Sequence, residues 1–143
     1  MDGSQMRAMV SADGAEWEKL IAALEAHPDG RVHDRDSPLW TSRDVYTHLA
    51  RWINHSVDQL EARLAGRRLP PILETDDEIN ARWQQEDRHL SPDEARERAQ
   101  AAFDRRLRAI EAVPINRWDA DLESLAKADG FEHYANHRRY IVA

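Results

Sequence analysis

Apolar residues in this chain recur at the spacing of an α-helix. Trp17, Leu20, Ile21 and Leu24 stand at i, i+3, i+4 and i+7, which places them on one stripe of an amphipathic helix. Val45, Leu49, Trp52, Ser56 and Leu60 form a second stripe, and Ala99, Ala102, Phe103, Leu107 and Ile110 a third. Breakers separate them. His27-Pro28-Asp29-Gly30 closes the first, and a polar loop follows to Pro38. Gly66 is a natural C-cap for the second, before an extended linker from Arg67 to Thr75 that contains Pro70-Pro71. Pro114 follows the third. No convincing strand and no internal repeat interrupts this pattern.

The helix starts carry their own chemistry. Thr41-Ser42-Arg43-Asp44 reads as an N-cap with a carboxylate at N3, and the helix it opens is expected from about Ser42 to Ala65. Ser91-Pro92-Asp93-Glu94 combines an N-cap serine, proline at N1 and glutamate at N3, opening a helix that continues to about Ala112. Asp76 to Arg88 reads as a shorter helix with Ile79 and Trp83 inward. Ile115 to Ala128 reads as a connection with one helical turn over Leu122 to Ala126. Asp129-Gly130-Phe131-Glu132 then opens the last helix by the same capping logic, and the chain stops at Ala143, so that helix is expected to be short. The expected architecture is all-α: an antiparallel four-helix bundle with one additional short helix, one domain over 1–143 with a flexible N-terminus over 1–12.

Composition narrows the function. A net charge of −7 argues against nucleic acid as a partner, because phosphate binding requires a basic surface. Arg105, Arg106 and Arg108 form a local basic group, but acidic neighbours surround them and they read as a solvated helix face. No apolar run approaches the ~20 residues of a membrane span, and the first ten residues lack the apolar core of a signal peptide, so a cytoplasmic address is expected. With no cysteine in the chain, a metal site has to be built from His, Asp or Glu.

His133 and His137, in F-E-H-Y-A-N-H-R-R-Y-I, are four residues apart, neighbours on one helical face. At 100° per residue, His133, Tyr134, His137, Tyr140 and Ile141 share an arc of about 120°, the width of a core-facing stripe. Two imidazoles so placed can grip one divalent cation, or can be hydrogen-bonded core histidines. His48 and His55 both lie on one flank of the second stripe, and periodicity does not choose between them as a third imidazole. His27, His33 and His89 sit at a helix end, in a loop and before a cap, where surface or structural roles are expected. Tyr134 occupies the position of the catalytic glutamate in H-E-x-x-H, which removes the helical zinc-protease reading. Glu86-Asp87-Arg88-His89 is one Glu-x-x-His where a di-iron bundle needs two.

Three stretches together resemble the DinB-like superfamily, which includes mycothiol- and bacillithiol-associated enzymes. W-T-S-R-D-V-Y-T-H-L-A-R-W (Trp40 to Trp52) resembles its entry into the second helix, D-D-E-I-N-A-R-W (Asp76 to Trp83) a mid-chain segment of one branch, and F-E-H-Y-A-N-H-R-R-Y-I (Phe131 to Ile141) its closing H-x-x-x-H helix. The resemblance implies a four-helix bundle, often a homodimer, and a three-histidine metal centre at His48, His133 and His137. Three imidazoles with open coordination positions suit Zn2+ or Ni2+. Such a site activates water or a thiol, and the thiol must come from a small molecule. The implied activity is that of a metal-dependent enzyme on a small molecule: a hydrolase, or a transferase or isomerase using a low-molecular-weight thiol. Tyr134 and Tyr140 are candidate proton donors, with core packing as their alternative. The competing class is a non-catalytic helical dimer or small-ligand-binding protein with structural histidines. A metal-free branch of the superfamily, related to colibactin self-resistance proteins, supplies a third reading, a hydrolase insensitive to chelator.

Overall fold

The computed structural model describes residues 1–27 and 40–141, and the elements along them are helical: α1 (Gly3–Ala26), α2 (Ser42–Leu64), α3 (Asp76–Asp87), α4 (Pro92–Glu111), a 3-10 turn (Ile115–Arg117), α5 (Ala120–Lys127) and α6 (Phe131–Arg139). The expected loop to Pro38, with His33, lies outside the described residues. No helix among the described residues is long and apolar enough to cross a membrane.

The caps form where the side chains dictate. Ser91 Oγ accepts the Glu94 N–H at 3.1 Å while the Glu94 carboxylate accepts the Ser91 N–H at 3.3 Å. At the start of α2 the Asp44 carboxylate accepts from the Thr41 N–H at 3.0 Å. Gly66, at φ 74°, lets α2 end in a Schellman turn, with Arg67 N–H donating to Ala62 O at 2.8 Å and Gly66 N–H to Arg63 O at 3.0 Å.

Three expectations about the helices change. The segment 1–12, expected to be flexible, is helical from Gly3, capped by Asp2, whose carboxylate accepts the Gln5 N–H at 2.8 Å. Its buried positions Met9 and Asp13 extend the Trp17/Leu20/Leu24 stripe toward the N-terminus. The connection after α4 contains a full helix, α5, capped by Asp119, so three long helices (α1, α2, α4) are accompanied by three short ones (α3, α5, α6). Asp129 does not cap the last helix; Gly130 occupies that position.

The core forms around α1, α2, α4 and α6. Helices α2 and α4 share the largest packing surface, and α6 lies mainly against α1. Trp17 stacks on Phe103 with ring centroids 4.5 Å apart, and Tyr134 meets both rings edge-on at 5.1 and 5.9 Å. Each such buried aromatic removes enough apolar surface from water to contribute about 2–3 kcal/mol. A second apolar cluster joins Met9, Leu60, Ile110, Val113, Leu122 and Ala126, holding α5 against the opposite end of the same helices.

Arg106 departs furthest from expectation. Far from lying on a solvated face, it is 2% exposed and its guanidinium donates to Asp13 Oδ2 at 2.9 and 3.1 Å. It also donates to the carbonyls of Ala126 at 2.6 Å and Ala128 at 2.7 Å. The other Asp13 oxygen accepts the Phe131 N–H at 2.9 Å. Burial pushes the Asp13 carboxyl upward while Arg106 and that N–H pull it down. Gly130 sits against this pair: a Cβ there would stand 2.5 Å from Arg106 Nη2 and 2.9 Å from Asp13 Oδ1, so glycine is required by close approach. One buried ion pair thus ties α1 and α4 to the end of α5 and the start of α6.

Candidate metal centre

His48 reaches the site from α2, His133 and His137 from α6. One nitrogen from each ring lies within 4.8 Å of the other two. The ring of His48 stands 4.9 Å from that of His137 and 5.6 Å from that of His133, both nearly perpendicular. His133 Nε2 and His137 Nε2 face each other at 2.8 Å. Two imidazole lone pairs cannot sit at that separation with nothing between them. A proton on one nitrogen makes the contact a hydrogen bond; a shared cation makes it a chelate pair.

Both His48 and His137 are neutral at physiological pH. Burial lowers the His137 pKa to about 3, reinforced by His133 and opposed by Asp129. Burial also drives His48 well below the usual imidazole value, with His137 and His133 adding to it and Asn80 opposing. Neutral imidazole is the metal-ligating form. The chain supplies three nitrogen donors and, among the described residues, the cluster contains no fourth ligand. That is the donor count of a site with open coordination positions.

The cluster opens into a cavity of about 480 Å3. Trp40, with its ring 4.7 Å from that of His48, forms one wall. Trp52, oriented by its Nε1–H donating to Asn80 Oδ1 at 2.7 Å, forms another. Asp76 and Asp77 from the first turn of α3, Asp129, Asn136 and Tyr140 complete the lining.

His55 is outside the cluster, with its ring 5.8 Å from that of Trp52. His27 closes α1, and its carbonyl accepts from Ser42 Oγ at 2.8 Å. The exposed His89 uses Nδ1 on the Glu86 carbonyl at 2.9 Å. Tyr140 lines the cavity and is 40% exposed. Tyr134 faces the aromatic core instead, with no exposure and no partner for its hydroxyl, and burial pushes its pKa upward. A nine-residue helix presents its arc to two surfaces at once, so sharing that arc did not bring the tyrosines together.

Sequence reasoning missed Asp129 and Ser56. Ser56 Oγ donates to Asp129 Oδ2, and Asp129 Oδ1 lies 3.0 Å from His133 Nδ1. Ser56 was visible as a polar position on an apolar stripe, a signal that a buried partner awaited it.

Residues 10–138 match the family described as the mycothiol maleylpyruvate isomerase N-terminal domain. The chain belongs to that family. Its fold is accordingly DinB-like, and the match spans all three histidines. No curated protein and no solved structure matches the chain.

Proposed function

We propose that this family member is a metal-dependent enzyme in which His48, His133 and His137 hold one divalent ion, Zn2+ or Ni2+, and which acts on a small molecule with the help of a low-molecular-weight thiol. The observation that carries this reading is the convergence of three imidazole nitrogens within 4.8 Å at the wall of a cavity, two of them on rings held neutral by burial. The thiol is supported by the family description, which names mycothiol; with no cysteine in the chain, any thiol has to be supplied by a small molecule.

When bound, the metal would supply the acidity that holds a thiol as thiolate, or water as hydroxide, near neutral pH. The chain's own residues set the surroundings. Trp40 and Trp52 shield the three imidazoles and offer flat apolar surface to a substrate. Tyr140 places a hydroxyl on the cavity wall, where it can pass a proton to a substrate. Among the described residues the lining carries Asp76, Asp77 and Asp129 and no lysine or arginine. These carboxylates would offset the charge of a divalent ion on three neutral imidazoles and give a cationic substrate portion a place to pair beside it.

A second reading draws on the 2.8 Å contact between the two Nε2 atoms, which one proton satisfies without a metal. In it the histidines are structural and the cavity binds a ligand without turnover. Elemental analysis of untagged protein separates the two. The enzyme reading expects about one divalent metal per chain and its loss in His137→Ala. Full occupancy in that variant refutes the site, and metal-free wild-type protein leaves the second reading or a hydrolase insensitive to chelator.

A further inference from the structure

We infer that Asp129 is a positioning residue of the three-histidine centre: its carboxylate, pinned by Ser56, sets the tautomer and orientation of His133. The inference rests on the metal-binding reading above and concerns a residue outside the ligand set.

Asp129 is the one non-glycine residue at positive φ, 56°, among the described residues. A β-carbon is strained there, and glycine would be free of the strain. The chain has a glycine next door, at 130, where close approach to Arg106 and Asp13 requires it. Aspartate is one of the few non-glycine residues that enters this region, and left-handed side-chain-bearing residues collect where a side chain is needed in one place.

The carboxylate does not serve the helix that follows. Helix α6 has Gly130 at its N-cap with no side-chain cap, and the Phe131 N–H is taken by Asp13. Instead, Asp129 Oδ2 accepts from Ser56 Oγ, on a residue 4% exposed in α2, and Oδ1 stands 3.0 Å from His133 Nδ1. The two atoms are at hydrogen-bond distance with the ring not aligned on the carboxylate.

The two nitrogens of an imidazole are coupled. A negative charge beside Nδ1 favours the tautomer with the proton there, which leaves the Nε2 lone pair free. His133 Nε2 is the atom that faces His137. A carboxylate behind a metal-bound histidine raises its basicity and fixes its ring. Ser56 in turn holds the other carboxylate oxygen, which keeps the group beside His133.

The test uses the full chain and Zn2+ as probe. Affinity is measured by competition with a chromogenic chelator in wild type, Asp129→Asn, Asp129→Gly and Ser56→Ala. Asparagine tolerates positive φ but carries no charge; glycine removes both the strain and the carboxylate. Both Asp129 variants are expected to lose about tenfold to a hundredfold in affinity, while still reaching wild-type stoichiometry at saturating Zn2+. Asp129→Gly is expected to do so with a Tm no lower than that of Ser56→Ala, because relief of the backbone strain offsets part of the cost of the hydrogen bond that both variants lose. Ring 15N spectra of the metal-free protein should show His133 protonated at Nδ1 in wild type and a tautomer mixture in Asp129→Asn. Wild-type affinity in both Asp129 variants overturns the assignment and leaves the metal reading standing. Wild-type protein that takes up no Zn2+ overturns both.

Discussion

Asp13 and Arg106 set the height of α6 along the bundle. They are 93 positions apart, yet between them they bind the Phe131 N–H and the carbonyls of Ala126 and Ala128, the backbone groups that lead into that helix. Height is what the site depends on. His48 and His55 share one flank of α2 but stand about 10 Å apart along its axis. Two side-chain rungs then join α2 to the α6 region, Ser56 with Asp129 and His48 with His137. The residue numbers fall on one side as they rise on the other, so the chain runs in opposite directions across these rungs.

His48→Ala is expected to abolish stoichiometric metal binding, whereas His55→Ala leaves it intact, because only His48 lies within reach of the α6 pair. Elemental analysis of the two purified variants checks this. Loss of metal from both would mean that height along α2 does not select the ligand.

Arg106→Ala should destabilise the protein by about 3–5 kcal/mol, since it strands the Asp13 carboxylate in the core. Gly130→Ala should act on the same pair by crowding Arg106 and Asp13. Urea titrations of metal-free protein report both. A cost for Arg106→Ala below about 1 kcal/mol, the range of an exposed pair, would show that Arg106 is solvated after all.

Chelator-treated protein should lose stability as the pH falls below 6.5. In the unfolded chain a histidine takes up a proton near 6.5, whereas folded His137 resists until about 3 and folded His48 stays well below 6.5. Between those values the unfolded state binds more protons, so stability rises with pH through that window and the contribution is complete above about 7. Urea midpoints measured from pH 4 to pH 8 should trace this slope, and His137→Gln should flatten it. An equal slope in that variant excludes His137 as its source.

Tyr134→Phe should leave metal content and any turnover unchanged and should not lower Tm, because its buried hydroxyl has no partner to lose. Tyr140→Phe should preserve the fold and metal but reduce turnover, as a proton donor at the cavity wall would. Equal kinetics for Tyr140→Phe and wild type would remove Tyr140 from the chemistry.

Much of this was legible from residue spacing. The stripes through Trp17, Leu49 and Phe103 and the caps at Thr41 and Ser91 identified helices that form, because each reports a local preference that packing then reinforces. His133 and His137 were legible as a pair because one helix holds both. His48 was not separable from His55 by spacing, since angular position says nothing about height. Arg106 was misread through its charged neighbours, although it sits seven residues after Ala99 and three after Phe103, on their stripe. Asp13 likewise falls four residues before Trp17. Two opposite charges, each alone on an apolar stripe, are the signature of a buried pair. Asp129 left no such mark, because its role depends on a backbone turn and a serine in another helix.

Helix α6 has nine residues, too few to hold its shape in water alone, and its backbone rests mainly on α1. Toward α2 it is fastened by side chains, those of His48 and the Ser56–Asp129 pair. An ion gripping His48 together with His133 and His137 would therefore be a clasp as well as a reagent. Tyr134 and the Asp13–Arg106 pair already hold that helix against α1 and α4, so the ion would add its tie on the side facing α2 alone. Its loss would loosen one edge of the helix and leave the other seated.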